Sequence, residues 1–184
     1  DEIANHTSAP MILGSTLVEN SNLFNCSFIC KNGKILGHYK KTLLPTYDVF
    51  DEDRYFKSGD KTSTFELKIS DVSKRVGLQI CEDLWDQNYS IDLAQSIKDS
   101  NADMIINISA SPFGDDRLIE RSNLIQEKVQ KTGLPFIYCN LVGSQDELIF
   151  DGQSLVYDQD ANLVAKGKAF SEDLLLVDFE KTSK

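Results

Sequence analysis

"VGLQICEDLW", residues 76–85, is a short apolar run that ends on a thiol and breaks at once into two acids, a leucine and the only tryptophan. Its composition reads as a buried strand. Open α/β sheets gather their sites at the carboxyl ends of strands, and Cys81 stands at such an end. A helix starting just beyond it would offer free N–H groups that favour a thiolate. Two facts oppose this reading. Free cysteine packs as a small hydrophobe in most cores, and the carboxylates of Glu82 and Asp83 disfavour a neighbouring thiolate. The stretch alone leaves both readings open.

Working outward, "PMILGSTL" (10–17) predicts a strand. "NLFNCSFICKNGKILGHYKK" (22–41) predicts a hairpin about Asn32-Gly33, a dipeptide that tolerates the positive φ of a tight turn. In its first arm Phe24, Cys26, Phe28 and Cys30 share a face, which makes Cys26 and Cys30 core thiols. "TLLPTYDVFDEDRYFKSGD" (42–60) is a long, aromatic and acidic loop, of the kind that often carries function. "STFELKI" and "KRVGLQIC" predict strands, "SIDLAQSIKDS" a short helix, and "ADMIINISAS" a buried strand. "DDRLIERSNLIQEKVQKTG" (115–133) predicts a helix capped by Asp115 or Asp116 and stopped by Gly133, with a stripe of Leu118, Ile119, Ile125 and Val129. "LPFIYCNLVG" predicts a strand, "SLVYDQDANLVAKG" a second hairpin and "LLLVDFE" (174–180) a last strand. Alternating strands and helices between two hairpins imply an α/β fold with a mixed sheet.

The chain has 184 residues, enough for one domain with a proper core. Its net charge is -10, from 19 basic and 29 acidic side chains, which argues against nucleic acid or an anionic membrane as partner. No apolar run approaches the roughly 18–20 residues of a membrane span. The four cysteines form no CxxC, and with two histidines there is no zinc pattern, so no metal is expected. Reduced thiols of this kind suit a cytoplasmic protein. The opening "DEIANHTSAPMILGSTL" reads like the tail of a helix leading into a strand, as in a fragment whose first elements are missing.

A thiol of ordinary pKa needs a base or a cation beside it. His6 lies at the chain start, and strand parity puts His38 with Lys34 and Lys40 on a solvated face. The same parity puts Ile35, Tyr39 and Lys41 on the inward face, if the pairing stays regular. An inward lysine must find an anionic partner or lose its proton. Asp48, Asp51, Glu52 and Asp53 are the loop acids available.

Four blocks stand in order: "YKKTLLPTYDVFDEDRYF" (39–56), "GLQICEDLW" (77–85), "NISASPF" (107–113) and "ELIFDGQS" (147–154). Together they resemble the nitrilase, or carbon–nitrogen hydrolase, superfamily, and most closely the glutaminase domain of glutamine-dependent NAD synthetases. The resemblance covers nearly the whole chain and treats residues 1–184 as one domain. It implies a four-layer α-β-β-α sandwich with mixed sheets, here without its N-terminal elements. That family works with a Glu-Lys-Cys triad. Its cysteine falls on Cys81. Its lysine lies four residues before the "PTY" proline, which selects Lys41, and the acid of "FDE" that braces it falls on Glu52. The general-base glutamate has no match in this sequence.

The same resemblance implies glutamine as substrate. Glu82 would take its α-ammonium and Arg117 its α-carboxylate, with Tyr47, Trp85 and Ser111 lining the pocket. It implies no cofactor for this domain. ATP, Mg and deamido-NAD belong to a synthetase domain in the same parent chain, and a homo-oligomer is expected. The alternatives are a stand-alone amidase acting on another small amide and a catalytically incomplete scaffold.

Overall fold

The computed structural model describes Asn5 and residues 8–60, 62–69 and 72–179. Most of the opening segment, His6 included, lies outside these residues.

A three-stranded antiparallel sheet is formed by β1 (Met11–Glu19), β2 (Asn22–Lys31) and β3 (Lys34–Lys40). The β2–β3 turn is built on Asn32 and Gly33 at φ 49° and 74°, as the dipeptide predicts. The larger sheet holds six strands: β4 (Thr64–Ile69), β5 (Val72–Ile80), β6 (Met104–Ser109), β7 (Phe136–Asn140), β10 (Leu155–Tyr157) and β11 (Leu163–Lys166). Their spatial order is β11-β10-β7-β6-β5-β4. The central β5, β6 and β7 are parallel, and the flanking pairs are antiparallel. β8 (Val142–Gln145) and β9 (Leu148–Asp151) form a separate ribbon. α1 (Leu93–Asp99) connects β5 to β6, and α2 (Arg117–Thr132) connects β6 to β7.

β5 explains the layering. Val76, Leu78 and Ile80 point to one face and pack with Ile29 and Tyr39 of the small sheet. Gly77 and Gln79 point to the other face, toward the helices. A Cβ on Gly77 would sit 2.2 Å from Ile97 Cγ2, so the glycine lets α1 lie directly on the strand. Ile97 joins Leu124, Ile125 and Val129 of α2 and Phe136 and Tyr138 of β7 in the second core. With both faces covered, the strand reads as a continuous apolar run rather than an alternating one. Two facing sheets with helices over the larger give three of the four expected layers among the described residues.

Several expectations need correction. Ile35 is exposed, not inward, because the β2–β3 register slips at Ile29/Cys30: Cys30 pairs with Ile35 and Ile29 with Gly37. Leu36 is the extra residue of this bulge, and it reverses the parity of everything before it. Tyr39 and Lys41 lie beyond the bulge and do point inward, 0% and 1% exposed. Cys26 and Cys30 are buried as expected. His38 is half-buried against the Phe28 ring rather than solvated. In α2, Asp116 holds the cap position without a side-chain hydrogen bond, and Gly133 closes the helix at φ 67°. Ile119 is exposed, and Leu124 takes its place in the stripe. Residues 174–179 form no strand; Leu174 and Leu176 stand in solvent, since no neighbouring strand pairs with them.

Candidate active site

Cys81 follows the last residue of β5 at φ 45°, a left-handed conformation that costs a non-glycine residue about 1–2 kcal/mol. The kink throws its side chain off the strand line. Beyond it comes a single 3-10 turn, Cys81–Leu84, and not the α-helix start the sequence suggested. The turn is locked by Asp83, which is fully buried. One carboxylate oxygen accepts from Ile80 N and Tyr39 Oη, both at 2.8 Å; the other accepts from Leu43 N at 2.9 Å and Thr42 N at 3.2 Å. Asp83 thus ties the Cys81 turn to the segment carrying Lys41. Burial pushes its carboxyl up to about 6, against the opposing pull of these donors and of Lys41.

Lys41 continues β3 through a bond from its N–H to Asn25 O. Its side chain is buried, and its ammonium meets Glu52 Oε1 at 2.6 Å. Of the four loop acids only Glu52 makes this contact: Asp51 faces Arg54, and Asp48 and Asp53 are exposed. Asn25 Nδ2 donates to Glu52 Oε2 at 3.5 Å. Lys40 points the other way, to Glu19 and over the Phe24 ring.

Lys41, Glu52, Cys81 and Glu82 line one cavity of about 430 Å3, with Asn25, Phe50, Ser109 and Leu141. A smaller one, about 160 Å3, adjoins it at Phe50, Cys81 and Glu82 and is lined by Tyr47, Trp85, Ser111 and Arg117. All eight residues singled out in the sequence therefore border two cavities that meet at the thiol. A larger apolar cavity of about 640 Å3, between β7, β10 and residues 171–179, contains none of them.

Electrostatics sharpen the picture. Burial raises the Cys81 thiol pKa; the Lys41 ammonium opposes this, and the Glu52 and Glu82 carboxylates reinforce it. Glu82 is itself raised by burial, offset by hydrogen bonds from Tyr47 Oη at 2.8 Å and Tyr89 Oη at 3.1 Å. Arg117 lies with its guanidinium 5.0 Å from the Trp85 ring centre and pairs with Glu120 at 3.2 Å. Tyr89, Asn25 and the buried Arg121 escaped the sequence reading, and Asp83 was read there only as a charge opposing the thiolate. Asn25 and Arg121 meet Glu52 and Asp151 from 27 and 30 positions away, which local pattern does not encode. Among the described residues no cluster of metal-ligating side chains occurs, and no helix is long and apolar enough to cross a membrane.

A thiol at a kinked strand end, a buried ammonium held by a carboxylate, and an adjoining pocket bordered by Asp48, Glu82 and Arg117 are parts from which covalent amide hydrolysis can be built. The chain belongs to the carbon–nitrogen hydrolase family, whose pattern matches residues 2–183. It is 36% identical over 172 residues to a glutamine-dependent NAD(+) synthetase of Thermotoga maritima, covering 92% of this chain and 28% of that one. It is 35% identical over 168 residues to the Synechocystis glutamine-dependent NAD(+) synthetase, covering 88% of this chain and 29% of that one. The chain thus spans less than a third of the length of these relatives. The structure of the glutamine-dependent NAD+ synthetase of Acinetobacter baumannii superimposes with a TM-score of 0.84 at 30% identity, over 94% of this chain and 31% of that one. A carbon–nitrogen hydrolase of Helicobacter pylori shares the fold, with a TM-score of 0.76 at 23% identity, over 91% of this chain and 60% of that one.

Proposed function

We propose that the chain is the glutaminase part of a glutamine-dependent NAD synthetase. The observation that carries this reading is the buried Lys41–Glu52 pair in the same cavity as Cys81. Cys81 Sγ attacks the side-chain carboxamide carbon of glutamine, forming a C–S bond and a tetrahedral oxyanion. Lys41 Nζ and the backbone N–H of Glu82 stabilise that oxygen. Glu82 is the second residue of the 3-10 turn, within the first turn, where N–H groups lack intrahelical acceptors. A preorganised donor of this type contributes roughly 3–4 kcal/mol. The C–N bond breaks, the thiol proton leaves with the nitrogen as ammonia, and water cleaves the glutamyl thioester to glutamate and free thiol.

The proton transfer needs a base. Glu52 is engaged with Lys41, and Glu82 with Tyr47 and Tyr89. Among the described residues neither of these two carboxylates is free for it, and on this reading slow glutamine turnover is expected from the chain by itself. In the proposed parent protein, the ammonia serves ATP-dependent amidation of deamido-NAD.

Glu82 and Arg117 favour an amino-acid amide over the simple amide of a stand-alone amidase, because they offer one partner to each charge of glutamine. The test is protection of Cys81. Alkylation of Cys81 by iodoacetamide, followed by peptide mass spectrometry, is slowed by millimolar L-glutamine and not by equal acetamide. Equal protection by both would favour the stand-alone amidase.

A further inference from the structure

Ser111 and Pro112 form one wall of the smaller cavity, and a buried ion pair behind them is used by nothing in the chemistry above. Arg121 is fully buried in α2. Its Nη1 donates to both oxygens of Asp151, at 2.9 and 3.1 Å. Its Nη2 donates to Ser111 O at 3.0 Å and Pro112 O at 2.9 Å, and its Nε to Ser111 Oγ at 3.3 Å. These five contacts all go to groups of the chain itself. Arg121 is also fully buried, so it acts on the cavity through the wall.

The rest of the wall is tied to the same pair. Asn140 Oδ1 accepts from Ser111 N at 2.9 Å, while its Nδ2 reaches Ser111 O, Asp151 Oδ1 and Gly152 O. Gln153 Nε2 donates to Asp151 Oδ2 at 2.7 Å, and Phe113 N bonds Ile149 O in β9. Arg117 stands one helical turn before Arg121, on the same side of α2. One turn of α2 thus delivers an arginine to the cavity rim, and the next delivers one to the wall behind it.

We propose that Arg121 and Asp151 are positioning residues that set the affinity of this site for its amide substrate, by fixing the Ser111–Pro112 wall before the substrate arrives. A wall already ordered loses little freedom on binding. The inference rests on glutamine being the substrate.

The experiment measures, in the chain and its variants, the L-glutamine concentration that halves the rate of Cys81 alkylation by iodoacetamide. Arg121→Lys retains the charge but loses the fork. It should need at least roughly tenfold more glutamine, while the unprotected alkylation rate stays within about twofold. The double variant Arg121→Gln with Asp151→Asn removes both charges and avoids a lone buried one. It should show the same split and carries the test if Arg121→Lys fails to fold. Protection at the unmodified concentration, or an unprotected rate that shifts as much as the protection does, overturns the proposal. Loss of folding in both variants also overturns it, because the pair would then be a device of the fold alone. Absence of protection in the unmodified chain is a separate outcome: it overturns the glutamine reading, and this inference with it.

Discussion

Lys41 Nζ lies 2.6 Å from Glu52 Oε1, with the lysine side chain 1% exposed and the glutamate 21%. The lysine is the deeper partner, so its charge depends on the glutamate. Glu52→Ala strands that charge, and thermal unfolding should show a loss of about 3 kcal/mol. Lys41→Met removes the charge with its volume nearly kept, so it should destabilise less. It should also slow Cys81 alkylation at pH 8, because the ammonium that favours the thiolate is gone.

The Cys81 thiol pKa is raised mainly by burial. The folded state therefore holds this proton more tightly than the unfolded chain does. Its alkylation rate should still be climbing above pH 9, and at pH 7.5 it should fall below that of a free cysteine. Stopped-time alkylation across pH 7–10 reads this directly; a plateau at or below pH 8 would contradict the burial account.

Asp83 titrates near 6 in the folded chain, above its ordinary value of 3.8. A raised carboxyl favours folding while protonated. Its contribution is full below about pH 4 and is lost as pH rises through about 6, at most about 3 kcal/mol for two units. Asp83→Asn should flatten that slope in urea midpoints measured from pH 4 to 6.5. An unchanged slope would assign the effect to another group.

Gly77→Ala brings a methyl to 2.2 Å from Ile97 Cγ2. It should destabilise by about 1–3 kcal/mol through overpacking. Ile97→Ala alone should cost about 2–5 kcal/mol. The two together should be less harmful than their sum by at least roughly 1 kcal/mol, since the small residue relieves the clash. Simple additivity in denaturant unfolding would mean that α1 shifts away instead.

Cys81 and Lys41 were legible from local signals, whereas Glu52 and the five pocket residues were expected only from the family resemblance. Cys81 closes an apolar run, and Lys41 lies beyond the bulge, so counting on from Tyr39 gives the right face. Ile35 lies before the bulge, and there the same counting fails. The turn at Asn32-Gly33 and the stop at Gly133 follow from backbone chemistry that a dipeptide or a single residue can carry. Residues 174–179 are as apolar as a buried strand, but a strand needs a neighbour, and sequence does not display one. Asp83 looked like an obstacle to the thiol. Its four donors come from residues 39–43 and 80, and they engage both oxygens of the carboxylate. Arg121 was hidden for a similar reason: Asp151, its partner, is 30 positions away.

The central claim is that Cys81 is the acyl-accepting thiol of a glutamine site. Its most direct test is to incubate the chain with a diazoketone analogue of glutamine and map the adduct by peptide mass spectrometry. The account predicts modification of Cys81, suppressed by excess L-glutamine and absent in Cys81→Ala. Labelling of the exposed Cys139 with Cys81 untouched would contradict it.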